Sequence, residues 1–304
     1  MKLYTHAACL RHDAGPGHPE SPLRLQAVLE ALDADRFASL ERVEAPRATR
    51  EQIARVHDER LIDLLDKNVP REGYVRVDTD TTMSPDSMEA ALRAAGAVCA
   101  AIDAMIDGDT TRAFCAVRPP GHHATHDAAM GFCLFNNVAV GAAQAMSRGI
   151  ERIAIVDFDV HHGNGTQDIF WNTPNVLYAS THQSPLYPGT GARAEKGVGN
   201  IVNAPLPPGA GSAEFRQAFD EVVLPALRAQ KPQLVIISAG FDAHRLDPLA
   251  DLNLEADDYA WATRALVDIA DEYASGRVVS SLEGGYSPTA LRESTAAHVA
   301  AMLA

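Results

Sequence analysis

Residues 152–165 read RIAIVDFDVHHGNG. The first half, Ile153 to Val156, is apolar without polar alternation; the second half turns abruptly to carboxylates, imidazoles and glycine. A short apolar run of this kind suits a strand covered on both faces, as in a parallel sheet flanked by helices. The pattern recurs in AFCAV (113–117), NVLYAST (175–181), QLVIISAG (233–240) and RVVSSLEGG (277–285). Each run ends in polar or glycine-rich sequence: RPPGHH, DVHHGNG, THQ, FDAH and EGGY. Ligands of open parallel sheets bind beyond the carboxyl ends of the strands. Five chemically loaded loops are therefore expected along one edge.

The intervening segments carry helix signals. Ser21-Pro22 and Ser287-Pro288 each place an N-cap serine before proline at the first helical position. Thr49 and Gln52 form a capping box. Ser84-Pro85 predicts the start of a long alanine-rich helix, and 137–148, 212–230 and 255–274 show helical periodicity. The chain has 304 residues, 46% hydrophobic and 22% charged, an ordinary globular composition with ample material for a large core. No linker, repeat or charge block divides it, so one domain over 1–304 is expected.

The net charge of −14 argues against a nucleic-acid-binding face. The N-terminus shows no signal-peptide pattern, and no apolar run approaches the ~18 residues of a membrane span. Cys9, Cys99, Cys115 and Cys133 make no C-x-x-C pair. A cytoplasmic protein with reduced core thiols and no membrane partner is expected.

Within DFDVHHGNG, Asp157, Asp159 and His161 stand at alternate positions. In an extended strand end such positions share a face, so all three are expected to meet. Asp242, in SAGFDAH, ends another predicted strand. Asp159, His161 and Asp242 offer one nitrogen and two oxygen ligands, a set that suits a catalytic divalent metal with an open position, zinc first; Fe(II), Mn(II) and Co(II) share the ligand preference. RPPGHHATHD (118–127) brings the tandem His122 and His123. Amide hydrolysis requires a base for water and an acid for the departing amine, and imidazole titrates near neutrality. Asp157 and Asn164 are available to orient the two rings. Tyr286, after the Gly284-Gly285 pair, is a candidate donor to a developing oxyanion.

RPPGHHA, GFCLFNN, IVDFDVHHGNGTQ, YPGTG, SAGFDAH and LEGGY occur in this order and together resemble the zinc-dependent histone deacetylase superfamily, particularly its class II-like bacterial amidohydrolases. The resemblance begins at GHPESPLRL, near residue 17, and reaches the final helix. It implies the arginase/deacetylase α/β fold, with a central parallel sheet of about eight strands between helices. It also implies that Asp159, His161 and Asp242 bind zinc, that His122 pairs with Asp157 and His123 with Asn164, and that Tyr286 polarises the substrate carbonyl. A carboxylate partner raises an imidazole's pKa more than a neutral amide does. His122 is then the cationic member and His123 the working base and acid.

The same resemblance implies monovalent cations, typically potassium. An inner site would use Asp157, Asp159, His161, Ser180 and the Thr181 carbonyl; an outer one would use backbone oxygens near Phe170, Thr173 and Val176. The acyl tunnel would run between Gly131 and Phe132 on one side and Tyr187 on the other. Asp80 stands at a rim position, with His18, Pro19 and Glu20 as further rim candidates. Leu249 stands where polyamine-specific relatives carry an acidic gatekeeper. Leucine favours acyl-lysine in proteins or peptides over acetylpolyamines, which stay an alternative. A binuclear ureohydrolase and a non-catalytic acyl or metal sensor on the same scaffold are the rivals of other classes. A homo-oligomer, with a partner subunit shaping the tunnel, is also left open.

Overall fold

A computed structural model describes residues 1–304. The strands, in chain order, are β1 (Lys2–Thr5), β2 (Glu41–Glu44), β3 (Val75–Arg76), β4 (Thr82–Met83), β5 (Arg112–Cys115), β6 (Ile153–Asp157), β7 (Val176–Gln183), β8 (Ile201–Leu206), β9 (Leu234–Ala239) and β10 (Val278–Leu282). Eight of them form one sheet in the order β2-β1-β5-β10-β9-β6-β7-β8, and every pairing in it is parallel. β3 and β4 make a small antiparallel hairpin apart from it.

The five apolar runs form β5, β10, β9, β6 and β7, the contiguous centre of the sheet. β6, β7, β9 and β10 are buried at every position, the condition that makes their sequences continuously apolar. The three sheet strands without that signature lie to either side. β2 is a mostly exposed edge of sequence ERVE, β1 is only KLYT, and β8 carries Asn203 and Pro205, with proline tolerated because β8 is the opposite edge.

Topology decides where the site forms. The chain leaves β5 and resumes the sheet at β6, three places away; β9 and β10, made last, fill the gap. Strand order therefore breaks between β5 and β6, and the loops after β5, β10, β9 and β6 lie side by side at that crevice.

Helices cover the sheet. Ser287 caps helix Pro288–Leu303 by accepting from the Ala290 N–H, and Thr49 and Gln52 make both capping-box bonds of helix Arg50–Ala54. The alanine-rich helix runs Ser87–Ile106 and starts later than Ser84-Pro85 predicts. The Ser84 N–H donates to Ser87 Oγ at 2.7 Å, so the serine pair forms a turn ahead of the helix. The 212–230 segment is helical throughout but contains a π turn at Phe219–Val223, which ends two residues before Pro225. Proline has no N–H and crowds the preceding turn, and a widened turn accommodates it.

Candidate active site

Asp159 and His161 lie just beyond β6, and Asp242 lies just beyond β9. One potential ligand atom from each falls within 4.8 Å of the others. His161 Nδ1 is 3.2 Å from Asp159 Oδ1 and 3.2 Å from Asp242 Oδ2. Both carboxylates are buried and held by main-chain donors. Gly284 N–H donates to Asp159 Oδ2 at 2.8 Å, and Val160 N–H donates to Asp242 Oδ1 at 2.8 Å. A Cβ on Gly284 would collide with both carboxylates, and one on Gly240 with Asp159, so two glycines make the cradle. Burial opposes a charge on His161, but the hydrogen bonds and charges of Asp159 and Asp242 outweigh it and lift its pKa to about 10. Burial and the neighbouring Asp159 push Asp242 up to about 7. Two enclosed carboxylates facing one imidazole form a cation-seeking set, and its donors fit a divalent metal.

Asp157 does not join that set, contrary to the alternation argument. β6 ends at Asp157, so the residues after it no longer keep strand periodicity. The Asp157 carboxylate turns to the neighbouring loop. His122 Nδ1–H donates to its Oδ2 at 2.9 Å, and the Tyr178 hydroxyl donates to the same oxygen at 3.0 Å. His123 Nδ1–H donates to Asn164 Oδ1 at 2.8 Å, which leaves Nε2 as the free acceptor. The two rings lie 4.0 Å apart in opposite electrostatic surroundings. Burial opposes charge on His122, yet Asp157 and Asp159 prevail and raise its pKa to about 10. Burial, then the neighbouring His122 and His161, hold His123 well below the usual imidazole range.

Glu283, of the LEGGY stretch, was not singled out in the sequence and is central here. It is fully buried, and its Oε2 accepts from the N–H groups of Gly121 (2.6 Å) and His122 (3.1 Å), fixing the backbone of the tandem-His loop. Ser238 Oγ–H donates to Oε1 at 2.9 Å, and burial pushes the carboxyl up to about 7. A charged residue at the end of an otherwise apolar run was the available signal.

Above the histidines lies a cavity of about 200 Å³ lined by Asp80, His123, Phe132, His161, Tyr187 and Tyr286, with Gly131, Leu186 and Leu249 completing the wall. Gly131 and Phe132 both have left-handed φ, +57° and +69°. A Cβ on Gly131 would strike the His123 ring, at 2.5 Å from its Cδ2, so only glycine lets that ring and wall meet. Asp80 Oδ1 accepts from Gly131 N–H and Thr81 Oγ1 from Phe132 N–H, both at 3.0 Å, which anchors this left-handed turn. The Tyr187 ring meets His123 edge-on at 5.1 Å. Tyr286 packs at 5.9 Å from Phe132, its ring faces the Arg24 guanidinium at 4.8 Å, and burial holds its hydroxyl well above the usual phenol range.

Glu20 is not a rim residue. It is fully buried and bridges two guanidinium groups: Arg118 donates to both its oxygens at 2.5 Å, and Arg24 donates to Oε1 at 2.9 Å. Arg24 also donates to the carbonyls of Glu283 and Gly285, so the cluster braces the loop carrying Tyr286 from below. His18 and Pro19 line an open surface groove beside the cavity, and the His18 ring lies 4.7 Å from Phe132 of the cavity wall.

The two monovalent sites fare differently. Asp157 and Ser180 are register partners across β6 and β7, both fully buried, so the core of the inner set comes together. The outer set closes on a side chain. The carbonyls of Phe170, Thr173 and Val176 do converge, but on Nδ2 of Asn200, at 2.8, 3.0 and 2.8 Å.

An eight-stranded parallel sheet with this crevice and helices on its faces is the arginase/deacetylase fold. Comparison with known proteins narrows the class. The histone deacetylase domain matches residues 18–302, and the chain belongs to that family of amide-bond hydrolases. It is 39% identical over 303 residues to a histone deacetylase-like amidohydrolase of Pseudomonas aeruginosa, covering 92% of this chain and 80% of that protein. It is 41% identical over 289 residues to a probable deacetylase of Archaeoglobus fulgidus, covering 93% and 80% respectively. The crystal structure of the HDA15 HD domain superposes with a TM-score of 0.93 at 36% identity, over 100% of this chain and 91% of that one. No helix is long and apolar enough to cross a membrane, and the four cysteines are free and buried.

Proposed function

We propose that the chain is a zinc-dependent amidohydrolase that removes an acetyl or other acyl group from an N-acylated amine, with acyl-lysine in proteins or peptides as the leading substrate class. The observation that carries this reading is the convergence of His123, His161 and Tyr286 on one cavity. Asp159, His161 and Asp242 would hold the zinc, which supplies Lewis acidity toward the amide carbonyl and the attacking water.

The chain's own residues do the rest. His123, neutral and with Nε2 free, takes the proton of the attacking water and returns it to the departing amine. Asn164 fixes its tautomer without adding charge. His122, kept cationic by Asp157, supplies a fixed positive charge beside the reacting centre. The Tyr286 hydroxyl donates to the carbonyl oxygen as negative charge grows there. Phe132, Tyr187 and Leu249, on the cavity wall, would face the aliphatic stem, and Asp80, on the same wall, would accept from a donor on the substrate backbone. Leu249 offers no charge to a polyammonium substrate, which favours the neutral stem of acyl-lysine.

The test is release of free acid by zinc-loaded protein from acetyl- and longer-acyl-lysine peptides, free acetyl-lysine, acetylputrescine and acetylspermidine. Preference for the lysine peptides is expected. Preference for the polyamines would overturn the reading of Leu249, and release from none would overturn the substrate class.

A further inference from the structure

We infer that this chain has replaced the outer monovalent cation by the side-chain amide of Asn200. Three main-chain carbonyls aimed at one point within 3.0 Å make a cation's environment, the arrangement by which carbonyl oxygens replace a hydration shell. Here the point is filled by an amide nitrogen. Its orientation is set from the other side: Val198 N–H donates to Asn200 Oδ1 at 3.2 Å, so a flipped amide would set two donors against each other. Asn200 is buried, and its own carbonyl accepts from Tyr178 N–H at 2.9 Å, so the residue is tied at both ends.

The exchange is chemically balanced. Two amide hydrogens serve three carbonyls, and two of those carbonyls have a second donor: Thr173 N–H to Phe170 O and Val176 N–H to Thr173 O, both at 3.0 Å. A partial positive charge that is covalently attached replaces a full charge that can dissociate. What it ties together matters to the site. Helix Asn164–Phe170 begins with the residue that orients His123, and β7 begins at Val176 and carries Ser180. Asn200 joins the end of that helix to the start of that strand, whatever the salt composition.

The test is anomalous diffraction from crystals of the full chain soaked in thallium(I), a heavy analogue of potassium, for wild type and Asn200→Ser. The wild type is expected to show no peak among the carbonyls of Phe170, Thr173 and Val176, and the shorter serine is expected to admit one. In solution, the K⁺-dependent rise in Tm of Asn200→Ser at constant ionic strength should exceed the wild type's by about 5 °C at saturating K⁺. A wild-type peak at that point with Asn200 displaced would overturn the inference, and this map decides even if the variant does not fold. A folded variant with neither peak nor added K⁺ response would show that the carbonyls are no cation cradle, and would overturn it equally.

Discussion

Asn164→Asp changes one atom and adds one charge where His123 is held. The structure supplies its own comparison: Asp157 sits 2.9 Å from His122 Nδ1, and Asn164 sits 2.8 Å from His123 Nδ1. Nearly equal geometry with a carboxylate accompanies a pKa of about 10, and with an amide one well below the usual range. Not all of that gap is the partner's, because Asp159 also raises His122 while His122 lowers His123. Two unit charges about 4 Å apart at an effective dielectric near 20 interact by about 4 kcal/mol, or about 3 pKa units. Half-burial of the new carboxylate and the adjacent cation reduce this to about 2 units. The sign follows from the role. His123 works neutral, so a higher pKa removes the working form from the acid side. The acid limb of kcat/KM against pH should move up by about 2 units, with up to ~100-fold loss at a fixed pH on that limb and a little-changed plateau above it. The assay is acid release from an acetyl-lysine peptide across the pH range, at constant zinc. A limb coincident with wild type would refute His123 as the base.

Tyr286→Phe should lower kcat by about 10²–10³ with little change in KM, as loss of one oxyanion donor does; an unchanged kcat removes the hydroxyl from that role. Asp242→Ala should lose bound zinc and activity together, and elemental analysis showing full zinc occupancy would contradict its place in the ligand set. Gly284→Ala forces a methyl against Asp159 and Asp242, so zinc affinity should fall at least tenfold; unaltered affinity would mean the carboxylates have room to move. Glu20→Ala leaves two buried guanidinium groups without their carboxylate, and urea unfolding should show a loss of about 3–5 kcal/mol. A loss below about 1 kcal/mol would show that Arg24 and Arg118 find other partners.

What could be read from the sequence follows from what burial writes into it. β6, β7, β9 and β10, covered on both faces, must be apolar at every position and so announce themselves; β2, exposed along most of ERVE, has no such obligation. Side chains that act through their own chemistry are equally legible: Asp159, His161 and Asp242 form a group by ligand type alone. Alternation does not group Asp157 with Asp159 and His161, because it holds only inside a strand and the strand stops there, whereas its pairing with His122 is present. The roles of Glu283, Glu20 and Asn200 are hidden for a different reason: Glu20, a rim candidate by sequence, is a buried bridge between arginines. Two of them bond mainly to main-chain N–H or C=O groups, which every residue carries, and Glu20 bonds to arginines 4 and 98 positions away. Local spacing encodes none of these partners except Arg24, four residues from Glu20.

The late insertion of β9 and β10 between β5 and β6 also bears on how the molecule is made. During synthesis the two halves of the sheet emerge first, each with an unpaired flank facing the other. Asp159 and the tandem histidines are already off the ribosome while Asp242, Glu283 and Tyr286 are still to come. The pocket has no nascent form: until the last quarter of the chain slots into the seam, the carboxylate of Asp159 lacks Gly284 and the histidine loop lacks Glu283. Such long-range closure folds slowly and leaves strand edges open meanwhile. The full set of site residues is therefore together only once β9 and β10 have joined the sheet.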